Sequence, residues 1–474
     1  MPPLAHKNLR SFVEKTWRAE VTPTLTEYIR IPNKSPMFEP EWEKLGHMEK
    51  AVSLFESWAR GKLKELPGAT IEVMREKGRT PLIVIDAPGA IKGETVLLYG
   101  HLDKQPEMTG WAPGKGPWSP VIENDRLYGR GGADDGYAMF GALTALVALE
   151  REGVPRARCV TVIEASEESG SPDLPFHMEK LAGKIGDVGL VICLDSGCGD
   201  YERLWLTTSL RGLVGGTLRI DVLSEGVHSG DASGIVPSSF RILRMLLDRI
   251  DDAATGVVKP QAFHAEIPEG RRREAKVAAE ALGDAVFSKF PFVPGMSPAT
   301  RDLAELVLNR TWRPALAVTG LDGAPPPANA GNVLRPSTTA KLSLRLPPTV
   351  EAGAASAALK RLLEESPPYG ARVAFAPESA GSGWNAPATE GWLSKAIDEA
   401  SLASWGKPSA MMGEGGTIPF MGMLGEVFPK AQFVITGVLG PNSNAHGPNE
   451  FLDLPTGMRV TETVAQIVAA HARK

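Results

Sequence analysis

The stretch ETVLLYGHLD (94–103) is a short apolar run that ends in polar residues of metal-binding type. Other apolar runs bounded by turn residues have the length of strands buried on both faces: PLIVIDA (81–87), CVTVIEA (159–165), VGLVICL (188–194) and AQFVITGV (431–438). Helical patterns lie between and around these runs, at 47–66, 136–152 and 455–474. Strands that alternate with helices predict an α/β domain with a mostly parallel sheet, and we predict that these runs are its parallel strands.

A different pattern occupies residues 208–382. Strand-like and helical segments follow one another there in the order β-α-β-β-α-β, at 214–223, 237–252, 315–321, 338–346, 350–366 and 371–377. This order is the ferredoxin-like pattern. Because 474 residues exceed the roughly 250–300 at which single cores stop growing, we predict a catalytic α/β domain in two parts, 1–207 and 383–474. A small α+β domain, 208–382, is inserted between them, and a Pro-rich, charged stretch at 255–312 interrupts it.

Composition excludes several classes of protein. The net charge is −5 and no basic run stands out, which argues against nucleic acid as a partner. The N-terminal residues have no continuous apolar segment typical of a secretory signal, and no apolar run approaches the roughly 20 residues of a membrane helix. The three cysteines, Cys159, Cys193 and Cys198, are too few for a disulfide framework. We therefore expect a soluble, cytoplasmic protein without a membrane partner.

Potential metal ligands follow four of the predicted strands directly or after a short loop. These ligands are His101 and Asp103, Glu167 and Glu168, Asp195, and His446. A further pair, Asp134 and Asp135, lies in the Gly-rich loop YGRGGADDGY before a helix. Because ligand sites in open α/β sheets lie at the carboxyl ends of strands, we expect these side chains to converge in one crevice.

The set of donors fits a pair of metal ions. Two imidazoles and three carboxylates give mixed N/O coordination, which zinc accepts and manganese tolerates. One carboxylate must bridge two ions roughly 3.5–4 Å apart, and another must stay off the metals to accept a proton from water. Taken singly, each acid has an ordinary explanation as a helix cap, a first-turn acid or a loop residue. Their joint occurrence at strand ends favours the metal site, although sequence alone does not assign separate roles to Glu167 and Glu168.

Several strings carry a resemblance to a known family: GHLDKQP, YGRGGADDGYAMFGAL, EASEESGS, GVHSGDASG, GEGGTIPF and AHGPNE. They resemble the dinuclear-zinc aminoacylase, carboxypeptidase and dipeptidase family, with the greatest similarity to its cytosolic non-specific dipeptidase and carnosinase branch. The resemblance runs in order from about residue 95 to 450 and implies a zinc-peptidase domain with an inserted lid and dimerisation domain. It implies these metal ligands: His101, Asp134 as the bridge, Glu168, Asp195 and His446. It also implies Asp103 as the carboxylate that orients His101, Glu167 as general base, and a cis peptide before Asp135.

The resemblance further implies residues that handle substrate. In relatives, the residue matching His228 enters the active site of the other subunit of a homodimer and stabilises the developing oxyanion. The residue matching Arg345 holds the substrate carboxylate, a task that suits a guanidinium. Further substrate contacts are implied for Asn332, Glu414, Gly415, Gly416 and Thr417. The chain departs from the pattern at Gly136-Tyr137, where the dipeptidase branch usually has Lys-Gly, and at TTSLRGL (207–213), which replaces a more charged stretch.

The chain lacks the sequence motifs of other classes of enzyme. The chain contains no G-x-S-x-G elbow, no G-x-G-x-x-G dinucleotide fingerprint and no Walker loop. We therefore predict metal-dependent hydrolysis of dipeptides. A hydroxide that bridges two metal ions attacks the amide carbon, and Glu167 acts as the general base. Deacylation of N-acyl amino acids by the same machinery is the alternative. A non-catalytic metal-binding homologue is the other alternative, and the presence of Glu167 argues against it.

Overall fold

The computed structural model describes residues 5–416 and 419–474. The chain forms two compact units. The large unit consists of Met1–Thr207, Ala386–Met411 and Met423–Lys474, and the small unit of Thr208–Asn385 and Met412–Gly422. No helix within the described residues is long and apolar enough to cross a lipid bilayer.

The strands of the described residues are, in chain order, β1 (Thr70–Met74), β2 (Leu82–Ala87), β3 (Ile91–His101), β4 (Val121–Glu123), β5 (Arg126–Tyr128), β6 (Ala157–Glu164), β7 (Val188–Cys193), β8 (Trp205–Leu210), β9 (Gly212–Asp221), β10 (Val227–His228), β11 (Ala315–Asp322), β12 (Val333–Leu334), β13 (Ser337–Leu346), β14 (Arg372–Gly381), β15 (Trp384–Asn385), β16 (Ala410–Glu414), β17 (Gln432–Ile435) and β18 (Phe451–Asp453).

The α-helices are α1 (His6–Thr16), α2 (Thr22–Ile29), α3 (Trp42–Leu45), α4 (His47–Leu63), α5 (Ala138–Arg151), α6 (Leu174–Ile185), α7 (Ser229–Ala232), α8 (Ser239–Ile250), α9 (Glu269–Leu282), α10 (Ala285–Ser288), α11 (Leu303–Thr311), α12 (Ala352–Glu364), α13 (Gly391–Trp405), α14 (Pro419–Val427) and α15 (Leu454–His471). Shorter helical turns include Gly132–Gly136 and Glu167–Ser169.

The large unit is built on a six-stranded sheet with the order β1-β2-β6-β3-β7-β17. Strand β3 is parallel to both β6 and β7, and β17 is parallel to β7. The predicted mostly parallel α/β architecture is therefore confirmed. Because these four strands run in the same direction, their carboxyl ends lie at one edge of the sheet.

The prediction that PLIVIDA (81–87) is a parallel strand was wrong. Strand β2 is antiparallel to β6. Only residues 88–90 separate β2 from β3. A parallel pair needs a crossover of a dozen or more residues, so the chain reverses direction at this point instead. The apolar composition of the run identified a buried strand correctly but carried no information on its direction.

Helix α5 packs closely against the central sheet. Its residues from Ala138 to Leu149 are buried. A Cβ atom at Gly100 in β3 would lie 2.4 Å from Ala138 Cβ and 2.7 Å from Asp135 Oδ2. Glycine at this position therefore lets the start of α5, and the acidic loop before it, lie directly against the end of β3.

The small unit contains the β-α-β-β-α-β order that the sequence predicted. Strands β9, β11, β13 and β14 form an antiparallel sheet in the order β11-β13-β9-β14. Helices α8 and α12 contribute apolar side chains to the core of this unit, among them Leu246 and Leu359. The segment 255–312 is not one continuous loop, since it contains α9, α10 and α11.

Candidate metal centre

The predicted ligands of the large unit come from the carboxyl edge of the sheet. His101 is the last residue of β3, Glu167 and Glu168 lie in the turn after β6, and Asp195 follows β7 by two residues. Asp134 lies in the turn before α5, and His446 lies in the loop before β18. The structure thus brings together all the side chains for which a metal role was predicted.

Asp134 lies between the two imidazoles. His101 Nε2 is 3.3 Å from Asp134 Oδ1, and His446 Nε2 is 3.1 Å from Asp134 Oδ2. His446 Nε2 is also 3.3 Å from Glu168 Oε2. A carboxylate that presents one oxygen to each of two imidazoles has the position required of a bridging ligand.

Two groups of ligand atoms are compact enough to hold an ion. His101, Asp134 and Glu168 form one group, and His101, Glu167 and Asp195 form the other. The ligand atoms of each group lie within 4.8 Å of one another. Glu167 therefore lies as close to the centre as Glu168 does, and distance alone does not separate the predicted base from the predicted ligand.

The electrostatics of the centre favour bound cations. Burial raises the pKa of Glu167, and the nearby Asp195 carboxylate raises it further. The pKa of Glu168 is raised by burial and by Asp134, and burial raises the pKa of Asp195 to about 6. Burial alone would also raise the pKa of Asp134, but His101 and His446 outweigh burial and lower it. Divalent ions would relieve the repulsion among these carboxylates, so the donor set fits a dinuclear site.

Asp103 contacts three of the residues that form the centre. Its carboxylate oxygens accept hydrogen bonds from the backbone amides of Glu167, at 3.1 Å, and Glu168, at 3.0 Å. His101 Nδ1 lies 3.1 Å from Asp103 O and 3.4 Å from its Oδ1. Asp103 is thus placed to orient His101, and it also fixes the turn that carries both glutamates, which the sequence did not reveal.

Asp134 and Asp135 are joined by a cis peptide bond, at the position that the resemblance implies. Asp135 is fully buried, and its Oδ2 lies 3.3 Å from the backbone nitrogen of His101. Burial raises the pKa of Asp135, and the Asp195 carboxylate adds to this effect. Asp135 therefore lies behind the ligands rather than among them.

Three supporting residues were missed at the sequence level. Gln105 Nε2 donates a hydrogen bond of 2.6 Å to Glu168 Oε2. Arg130 Nη1 donates one of 2.5 Å to Glu450 Oε2, and Arg130 Nη2 donates one of 2.7 Å to Gly447 O, beside His446. Gln105 lies in GHLDKQP, Arg130 in YGRGGADDGY, and Glu450 ends AHGPNE. The motifs therefore contained all three residues, but they did not indicate which residues contact one another.

The small unit brings together His228 and Asn332. His228 pairs with Val333 in the two-stranded ladder of β10 and β12, and the amide of Ser229 donates a hydrogen bond of 2.9 Å to Asn332 O. The His228 side chain is exposed. An exposed imidazole is available to a ligand or a second chain, as the predicted role requires.

Arg345, Glu414 and Gly415 lie in another part of the small unit. Arg345 is on β13 opposite Leu213 of β9. Glu414 O and Gly415 O accept hydrogen bonds from the backbone nitrogen and Nε of Arg211, both at 3.3 Å. A Cβ atom at Gly416 would meet nothing within 4 Å. Thr417, also predicted to contact substrate, lies outside the described residues.

Comparisons with known proteins agree with this fold. The model of peptidase family M20/M25/M40 matches residues 97–470. The chain therefore belongs to this family, and it is a metal-dependent hydrolase. The cysteinylglycine-S-conjugate dipeptidase of Corynebacterium striatum is 26% identical over 444 residues, covering 91% of this chain and 94% of that protein.

The Beta-Ala-His dipeptidase of Homo sapiens is 25% identical over 392 residues, covering 78% of this chain and 73% of that protein. Among solved structures, the crystal structure of human carnosine dipeptidase 1 has a TM-score of 0.76 and 20% identity, with 100% of both chains covered. At that identity the structural likeness shows a common fold.

Proposed function

We propose that this protein hydrolyses dipeptides with the aid of two metal ions held by His101, Asp134, Glu168, Asp195 and His446. The observation that carries the proposal is the position of Asp134, which presents one oxygen to His101 and the other to His446. The names of the relatives in Corynebacterium striatum and Homo sapiens, both dipeptidases, support dipeptides as the substrate class. Zinc fits the imidazole and carboxylate donors, with manganese as the second choice.

Each residue has a role that follows from its chemistry. When bound, the metal pair supplies a water of lowered pKa and polarises the carbonyl of the scissile amide. Glu167 accepts a proton from that water and delivers it to the nitrogen of the leaving amine as the C–N bond breaks. A raised pKa helps a carboxylate in this task, since it must both hold and release a proton near neutral pH. Asp103 keeps Glu167 and His101 in position.

Two residues of the small unit complete the proposal. His228 donates a hydrogen bond to the oxyanion that develops on the amide carbonyl, acting in a partner subunit of a homodimer. Its exposure supports a role beyond its own unit. Arg345 binds the carboxylate of the substrate, for which its planar guanidinium is suited. Asn332, Glu414, Gly415, Gly416 and Thr417 are proposed as further substrate contacts.

The test is turnover of a small panel of substrates by protein reconstituted with zinc or with manganese. The panel contains several dipeptides, an N-acetyl amino acid and a tripeptide, each assayed with and without a chelator. We expect chelator-sensitive cleavage of the dipeptides and little cleavage of the others. Preferential release of acetate would instead identify a deacylase, and an absence of cleavage by protein with two bound ions would contradict the proposal.

A further inference from the structure

Residues 28–37, which we call the N-terminal brace, contact two of the segments that carry predicted metal ligands. The brace runs from the end of α2 into the loop before α3. Tyr28 Oη and Asn33 Nδ2 each donate a hydrogen bond of 2.6 Å to Leu102 O, and both residues are buried. Leu102 directly follows His101 at the end of β3. The first contacts of the brace are therefore made beside a predicted ligand.

Lys104 adds further hydrogen bonds between the brace and the loop after β3. Its Nζ donates two bonds of 2.8 Å, to Tyr28 O and to Ile31 O. In the opposite direction, the amide of Ser35 donates a bond of 2.9 Å to Lys104 O. Lys104 and Ser35 are fully buried. The brace and this loop are thus joined through both side-chain and backbone groups that water does not reach.

The brace also contacts the turn Glu167–Ser169, which carries the proposed base and one proposed ligand. Ser35 Oγ lies 2.5 Å from Ser169 Oγ, and the amide of Met37 donates a hydrogen bond of 2.9 Å to the same Ser169 oxygen. Ser35 therefore contacts both segments. Its backbone amide binds the loop after β3, and its side chain binds the turn.

The turn has to be held because it brings negative charge close to other carboxylates. The pKa of Glu168 is raised by burial and by Asp134, which shows that these two carboxylates repel each other. Asp103 accepts hydrogen bonds from the amides of Glu167 and Glu168. These bonds fix the start of the turn, and the bonds of the Ser169 hydroxyl fix its end. A turn fixed at both ends keeps its glutamates in place against this repulsion.

We infer that Ser35 and Ser169 are positioning residues of the metal centre. Their hydrogen bond ties the turn that carries both glutamates to the loop after β3, and so keeps the predicted ligands at the spacing that the metal ions need. The inference rests on the proposed function for the set of ligands, but not for the substrate. Ligands that are already in place bind an ion more tightly, because binding does not have to order them. Loss of this hydrogen bond should therefore lower metal affinity although every ligand remains.

The experiment measures zinc affinity by competition with a chromophoric chelator. Ser169→Ala removes the oxygen that contacts both Ser35 and Met37, and we expect the affinity to fall about ten-fold. Ser35→Ala removes only one of these two bonds and should lower the affinity about three-fold. The double variant should bind zinc about as tightly as Ser169→Ala alone, because both changes break the same hydrogen bond. Ser169→Thr keeps the hydroxyl at a half-buried position and should retain the wild-type affinity.

The matched control is Ser401→Ala on α13. The buried Ser401 hydroxyl donates a hydrogen bond of 2.7 Å to Lys407 O and accepts one of 3.4 Å from the amide of Leu204. Its removal costs the same kinds of hydrogen bond in another part of the large unit. This variant should lower the temperature of thermal unfolding and leave the zinc affinity unchanged. A change that acts only on overall stability is thereby distinguished from one that acts on the metal centre.

Thermal unfolding identifies any variant that fails to fold, and Ser35→Ala provides the reading if Ser169→Ala does. Wild-type zinc affinity in Ser169→Ala, or losses from the two serines that simply multiply in the double variant, overturns the inference. Cleavage of dipeptides by the wild type in that case leaves the proposed function intact. A coupled loss of zinc affinity, with no cleavage of any dipeptide by zinc-loaded wild type, supports the positioning role and contradicts the proposed function.

Discussion

Arg130 and Glu450, 320 residues apart in the chain, form a buried ion pair in which Arg130 Nη1 lies 2.5 Å from Glu450 Oε2. The same guanidinium donates hydrogen bonds to Pro106 O at 3.1 Å and to Gly447 O at 2.7 Å. Glu450 Oε1 accepts a further bond of 2.9 Å from the amide of Gly131. These contacts tie together the loops that follow β3, precede α5 and carry His446.

Replacing Glu450 with Gln should destabilise the large unit. At pH 8 Glu450 is ionised, since burial raises its pKa only to about 7. The substitution leaves Arg130 buried without its counter-charge, and we expect the free energy of unfolding of metal-free protein to fall by about 3–5 kcal/mol. Denaturant titration measures this loss.

The control for this prediction is Glu41→Gln, which removes the partner of Lys44 in an exposed pair with a separation of 2.7 Å. Its effect should stay within about 1 kcal/mol. Equal effects of the two substitutions would show that Arg130 and Glu450 do not stabilise these loops.

Replacing Asp103 with Asn should weaken metal binding. Its two carboxylate oxygens accept the amides of Glu167 and Glu168, and a carboxamide has only one accepting oxygen. The turn that holds both glutamates then loses one hydrogen bond, and we expect metal affinity to fall by about 10–100-fold. Competition with a chromophoric chelator measures the affinity. The control is Asp187→Asn, an exposed change before β7, which should leave the metal affinity unchanged. An unaltered metal affinity in Asp103→Asn would show that Asp103 does not position the glutamates.

Glu164 should make the metal-free protein less stable as pH rises. Its carboxyl group is buried, accepts hydrogen bonds from Tyr99 and Ser171, and has its pKa raised by burial and by Asp103 from 4.5 to about 7. Below pH 4.5 the group is protonated in both the folded and unfolded states. Between 4.5 and 7 only the unfolded chain ionises freely, so this group's contribution disfavours folding by about 3 kcal/mol once the pH exceeds 7.

The measurement compares free energies of unfolding at several pH values for metal-free wild type and Glu164→Gln. The variant should show a smaller loss of stability between pH 4.5 and 7. Glu179→Gln, an exposed change on α6, should follow the wild type. If the curves of wild type and Glu164→Gln run parallel, the pKa of Glu164 is not raised.

Two inactive variants should restore activity to each other if His228 acts in the partner subunit. In a mixture of Glu167→Gln and His228→Ala dimers that have exchanged subunits, each mixed dimer has one site with both residues intact, so we expect about a quarter of wild-type turnover. Mixing Glu167→Gln with Asp103→Asn provides the control, because Glu167 and Asp103 belong to the same unit and each site of a mixed dimer then carries one of the two changes. No recovery with His228→Ala, in a sample where exchange is demonstrated, would contradict action in the partner subunit.

The sequence predicted much of the fold and the convergence of the candidate ligands because both depend on local signals. All the predicted ligands except Asp134 follow an apolar run of strand length, directly or after a loop, and parallel strands end at the same edge of a sheet. The direction of β2 was mispredicted because composition does not encode direction, although the short connection of residues 88–90 would have done so.

The supporting contacts were beyond sequence reasoning for a different reason. Arg130 and Glu450 are brought together only by the tertiary fold, and no local pattern identifies either as the partner of the other. Ser35 and Ser169 likewise come from a loop and a turn that are 134 residues apart. Residue type alone does not distinguish such residues from solvated ones on the surface.

The central claim is that Glu167 accepts the proton of the attacking water while Glu168 holds a metal ion. The most direct test measures metal content and dipeptide turnover for Glu167→Gln and Glu168→Gln side by side. We expect Glu167→Gln to keep both ions and to lose turnover by about 100-fold or more, whereas Glu168→Gln should lose metal. Loss of an ion from Glu167→Gln, with both ions retained by Glu168→Gln, would show that the two glutamates have the opposite roles.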